Sequence, residues 1–131
     1  MLRGLLDAGA AEEATRALGW VVMSGVLSIG PAMSAVLPFL LRLAADPEVP
    51  RRDELFTLVL AAALSEATDP DNPVDMAIGG PEEDHPERGL CRAAFVTHQS
   101  WVRRLLDDDT LLAHGPLHDD ERICLHTVAQ L

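Results

Sequence analysis

An all-α domain is the fold class this sequence predicts, and three observations carry it. Alanine and leucine dominate, β-branched residues are few, aromatic residues make up 4% and tyrosine is absent, a balance that favours helix over sheet. From Ala17 to Leu41 no side chain is charged, although 24% of the chain is. Turn signals at Gly30-Pro31, Asp46-Pro47, Val49-Pro50 and Gly115-Pro116 then cut the chain into runs of helical length. At 131 residues a single domain is expected, long enough to bury about two thirds of its unfolded surface.

The elements follow in order. Leu2 to Ala8 reads as a short helix or an arm. A first full helix is predicted from Glu12 to Leu27, with Glu12 and Glu13 at its positive end and Leu18, Val21, Val22 and Val26 nearly encircling it. The second starts at Pro31 and runs to Ala45. Only Ser34 and Arg42 interrupt its apolar surface, so it is expected between neighbours. Pro38 removes the backbone bond to Ser34 and predicts a kink. A third helix follows the ADPEVP turn, from Arg52 to Ala67, with Asp53 and Glu54 in its first turn. Asp69 to Glu87, rich in proline and glycine, reads as one irregular loop over about 69–86, of a length that is functional or disordered. A fourth helix spans Glu87 to Leu106, its apolar side made by Leu90, Ala94, Trp101 and Leu105 and extended by Cys91, Phe95 and Val102. Asp119 to the last residue forms the final helix, with Asp119 as N-cap.

The uncharged run is long enough to be weighed as a membrane span. Ser24, Ser28 and Ser34, three glycines and two prolines oppose that, and Gly30-Pro31 divides the run into halves too short to cross. Asp7, Glu12 and Glu13 oppose a secretory signal peptide. The run is read as two apolar core helices, with a membrane-associated hairpin as the weaker alternative.

All ten cations are arginine, and the net charge of −11 opposes binding to a phosphate backbone. No nucleic acid is expected, and a macromolecular partner would be a protein with a basic surface. Cys91 and Cys124, far apart in sequence, read as reduced thiols in a cytoplasm, although a single disulfide remains open. Oligomeric state is not legible.

Within Ala14–Leu64, the residues Val36, Pro38, Phe39, Leu40, Leu43, Ala44, Ala45, Asp46, Pro47, Val49, Pro50, Arg52, Glu54 and Leu55 form a proline-containing apolar helix followed by Asp-Pro and a second proline. This block resembles HEAT-repeat-like (armadillo-type) proteins of bacteria, with Met23-Ser24-Gly25 where that group usually has His-Gln-Gly. The resemblance implies a short right-handed α-solenoid, a HEAT-like stack of antiparallel helix pairs. It also implies a non-enzymatic protein-interaction module, of an accessory, regulatory or toxin-immunity kind.

The candidate sites lie late in the chain. Arg88, Arg92, Gln99 and Arg103 share one stripe of the fourth helix. They read either as a solvated face paired with neighbouring carboxylates or as a docking ridge for a carboxylate- or phosphate-bearing partner. His98 falls inside the apolar stripe beside Trp101. It is either a core histidine or the base of a cleft, which would make the protein a small enzyme or ligand binder. Cys91 with His98 is the weaker nucleophilic pairing. No metal or other cofactor is expected. The spacings Cys91–His98, His114–His118 and Cys124–His126 match no zinc pattern, and Val74 and Gly80 stand where a calcium loop beginning at Asp69 needs glycine and glutamate. Glu82, Glu83 and Asp84 read as the acidic rim of a binding surface.

Overall fold

The computed structural model describes residues 2–25 and 28–131, apart from the Leu2 side chain, and those residues are all-helical. A 3-10 helix, Leu2–Leu6, leads into α1 (Ala11–Val22), α2 (Met33–Ala44), α3 (Arg52–Ala63) and α4 (Pro73–Gly79). A 3-10 turn at Glu82–Asp84 precedes α5 (Pro86–Thr97), α6 (Gln99–Leu106) and α7 (Asp119–Ala129). Among the described residues the β-type pairings are two isolated bridges, Met23 with Ile29 and Leu112 with Gly115. None of their helices is long and apolar enough to cross a membrane.

The uncharged run divides where its Gly-Pro pair stands, but α1 stops earlier than expected. The chain folds back on itself after Val22. Gly30 N donates to Val22 O at 2.6 Å, Ser24 N to Ser28 O at 2.9 Å, and the Ser24 hydroxyl to Ile29 O at 3.1 Å. Serine thus supplies partners that a continuing helix would have supplied. Val26 and Leu27, assigned above to this helix, lie outside the described residues. The leading 3-10 helix packs on α1 through the buried Leu5, and it sits so close that a Cβ on Gly4 would lie 3.0 Å from Ala14 Cβ.

The core gathers around α2. Leu37, Leu40 and Leu41 are fully buried there, packed with Leu55, Phe56 and Val59 of α3, Cys91 and Phe95 of α5, and Val102 and Leu105 of α6. α2 contacts α1, α3, α5 and α6. It is nevertheless not enclosed all round, since Phe39 is 52% exposed and shares an outward stripe with Ala35 and Arg42. α3 ends at Ala63 rather than Ala67, and the freed backbone of residues 64–68 is bound by α5, as described below.

Two expectations for the second half need correction. The segment read as an irregular loop contains α4 and a 3-10 turn. Asn72 caps α4, its Oδ1 accepting from Val74 N at 3.0 Å, and Pro73 occupies the first turn, where a missing N–H costs nothing. The helix expected over Glu87–Leu106 is two helices, broken at His98 (φ −107°, ψ 33°). No glycine or proline marks the break; the β-branched pair Val96-Thr97 precedes it. The buried stripe of α5 is also turned by one position, running Glu87–Cys91–Phe95, so Leu90 is 57% exposed.

One core position is imperfect. Thr15 is 7% exposed, and its hydroxyl has no hydrogen-bond partner among the described residues. Thr15→Val keeps the shape and removes the orphaned hydroxyl, so it is expected to raise stability by about 1 kcal/mol. An upward shift of the urea midpoint at unchanged slope checks this; a downward shift would mean the hydroxyl is bonded.

Candidate functional site

A groove of about 660 Å³ lies between the C-terminal end of α3, one face of α5 and one face of α7. Helical spacing builds its walls. α5 contributes Arg92, Ala93 and Val96; α7 contributes Asp120, Ile123, Cys124, Thr127 and Val128. The third wall is the chain leaving α3, from Ala63 to Ala67. Leu64 is 64% and Ile123 63% exposed, so large apolar side chains line an open trough instead of closing over it.

Arginine holds that third wall in place. Arg92 donates to Ser65 O at 3.2 Å and pairs with Glu82. Arg88 donates to Thr68 Oγ1 at 2.9 Å and to Gly79 O at 2.8 Å, and lies 3.8 Å from the second oxygen of Glu82. That oxygen also accepts from Thr68 N at 3.2 Å. Partial burial acts to raise the Glu82 carboxyl, but the hydrogen bonds from Arg92 and Thr68 and the two nearby guanidinium charges outweigh it and hold the group below its usual value. The two arginines and one glutamate therefore clamp residues 65–68 and 79–82 to α5. Glu82, read above as part of an acidic rim, is the centre of the clamp, and only Glu83 and Asp84 stay exposed there.

The stripe Arg88, Arg92, Gln99 and Arg103 is thus split by the break at His98. Arg88 and Arg92 are brought together in the clamp. Gln99 instead donates to Ala129 O at 2.7 Å, capping the end of α7. Arg103 is exposed on α6. His98 sits half-buried at the joint, away from the groove, and Trp101 lines a separate hollow of about 210 Å³ with Arg42, Asp46 and Arg104. The Arg104 guanidinium lies 5.1 Å from the centre of a Trp101 ring, in cation–π range.

The thiols are poor nucleophiles here. Burial, reinforced by Glu87, pushes Cys91 up to about 11, and Cys91 is fully enclosed in the core. Burial, then Glu66, raises Cys124 as well. At neutral pH both stay protonated, so neither offers the reactive thiolate. Among the described residues no group of three or more His, Cys, Asp or Glu side chains is placed to hold a metal ion.

Sequence reasoning missed the groove because its walls come from three separated segments. The available signal was apolar residues off the buried face: Leu64 beyond α3, Val96 on α5 and Ile123 on α7. The chain matches no protein-family model, no curated protein and no solved structure.

Proposed function

We propose that this protein is a non-enzymatic helical protein-interaction module, a short α-solenoid of antiparallel helix pairs whose partner seats in the α3–α5–α7 groove. The observation that carries the reading is the groove itself: an open, mainly apolar trough on the outside of a well-filled core. Its volume is in the range of ligand sites, and a lining of exposed Leu64, Val96 and Ile123 gains from being covered. The stacking of α2 on α3, of both on α5, and of α7 on α3 and α5 supports the repeat-like arrangement, in which each layer covers its neighbour.

The test is a paired capture from extract of the native host with wild-type protein and Ile123→Glu. Ile123 is exposed, so a charge there leaves the fold intact but puts an unpaired carboxylate in the covered surface. A stoichiometric partner held by wild type and bound on the order of tenfold more weakly by the variant is the expected result. Equal capture by both proteins would refute the groove as the binding surface.

A further inference from the structure

We infer that the groove accepts an amphipathic α-helix whose apolar face is flanked by basic side chains; this rests on the interaction reading above and assigns the occupant's chemistry. The first ground is backbone satisfaction. Two of the walls, α5 and α7, are helices that present side chains; the third, residues 64–67, is irregular chain whose Ser65 O is already taken by Arg92, and no strand edge stands among the described residues to pair with an extended peptide. An extended segment would lay its N–H and C=O groups over Val96 of α5 and Ile123 of α7 without partners, whereas a helix satisfies its own. From Asp120 to Val128, α7 lines about two turns of trough, a length of about 12 Å. That matches anchors spaced i, i+3 or i+4, and i+7 on a facing helix.

The second ground is charge at the lips. Glu66 stands on the α3 side and Asp120 on the α7 side, and neither forms a salt bridge or side-chain hydrogen bond among the described residues. The one cation in the lining, Arg92, is already occupied by Glu82 and Ser65 O. Asp119 and Glu121, both in the first turn of α7 with Asp120, extend the negative field, within a chain of net charge −11. Cationic residues beside the apolar stripe would meet both lips and speed encounter.

The same charges disfavour entry of α4 from a second copy. Among the described residues α4 exposes Val74 (63%) and Ile78 (84%). It carries Asp75, follows Asp69 and Asp71, and has no basic residue, so its own charge opposes entry between Glu66 and Asp120.

The experiment uses the full chain and three synthetic helical peptides of about a dozen residues with one leucine spacing. One has lysines beside the leucines, one glutamates, and the third is the lysine peptide with a central proline. Fluorescence anisotropy of the labelled peptides is read at low and high salt. The lysine peptide is expected to bind about tenfold or more tighter than either other, to weaken with salt, and to lose most of its advantage over the glutamate peptide against the Glu66→Gln, Asp120→Asn protein. Equal binding of the glutamate peptide overturns the charge assignment, and equal binding of the proline peptide overturns the helix. Binding of none, or concentration-dependent dimerisation that blocks the lysine peptide, overturns the inference as a whole. None of these outcomes touches the interaction reading, which falls only if Ile123→Glu captures the same partner as wild type.

Discussion

Arg52→Ala is expected to lower the unfolding free energy by about 3 kcal/mol or more, a large share of the 5–15 kcal/mol typical of a domain. Arg52 is 8% exposed at the head of α3 and is fully engaged. Its guanidinium lies 2.5 Å from Asp108 and donates to Thr110 Oγ1 at 2.7 Å, with Ala44 O at 3.5 Å. The end of α2 and the segment Asp108–Thr110, 56 to 58 positions further along the chain, meet on that one side chain. Truncation leaves the Asp108 carboxylate, 15% exposed, without its counter-charge. Urea unfolding followed by circular dichroism measures the loss. Pairing Arg52→Met with Asp108→Asn should recover much of it, because the uncompensated charge is gone; if the double variant is as unstable as the single, packing rather than charge is responsible. The pair also sets an acid limit. The Arg52 hydrogen bond, aided by Thr110, holds the Asp108 carboxyl down to about 2 from 3.8. The unfolded chain takes the proton first as pH falls, so this stabilisation is complete above about pH 4 and is lost progressively toward pH 2. In Arg52→Ala that part of the acid sensitivity should disappear.

Phe95→Ala should cost about 3–5 kcal/mol. Phe95 is fully buried on α5, and α5 contacts α2, α3, α6 and α7, so a cavity there loosens the layer on which the others rest. Leu90→Ala on the same helix is the control. With Leu90 57% exposed, its loss should stay within about 0.5 kcal/mol. Similar costs at the two positions would mean that α5 faces the core differently.

Local signals carried the helical reading a long way. The Gly30-Pro31 division and the start of α3 at Arg52 stand where turn chemistry puts them; α7 begins at Asp119, but its N-cap is His118, whose N–H donates to Glu121, and not the Asp119 expected. α4 was also within reach, since Asn72-Pro73 is a cap followed by a first-turn proline; the surrounding prolines and glycines masked it. The break at His98 has no such punctuation, and a continuous stripe through it put Leu90 on the buried side, whereas Ala94 does pack against the core. Once the helix is broken, one row of polar residues serves different purposes on either side of the joint. Arg88 and Arg92 reach back to Glu82, and Gln99 reaches forward to Ala129. Those partners lie 10 and 30 positions away for Arg92 and Gln99, distances that helical periodicity does not encode.

The groove's dependence on α7 has a consequence in time. Synthesis is vectorial, and α3 and α5 leave the ribosome before residues 119–129 do. Until then the surfaces of α3 and α5 that Leu125 and Ala129 cover face water, and the trough has only part of its walls. The trough is therefore completed only after α5 is already made: the proposed basic helix would meet finished walls only once α7 has docked and Gln99 has closed on Ala129 O.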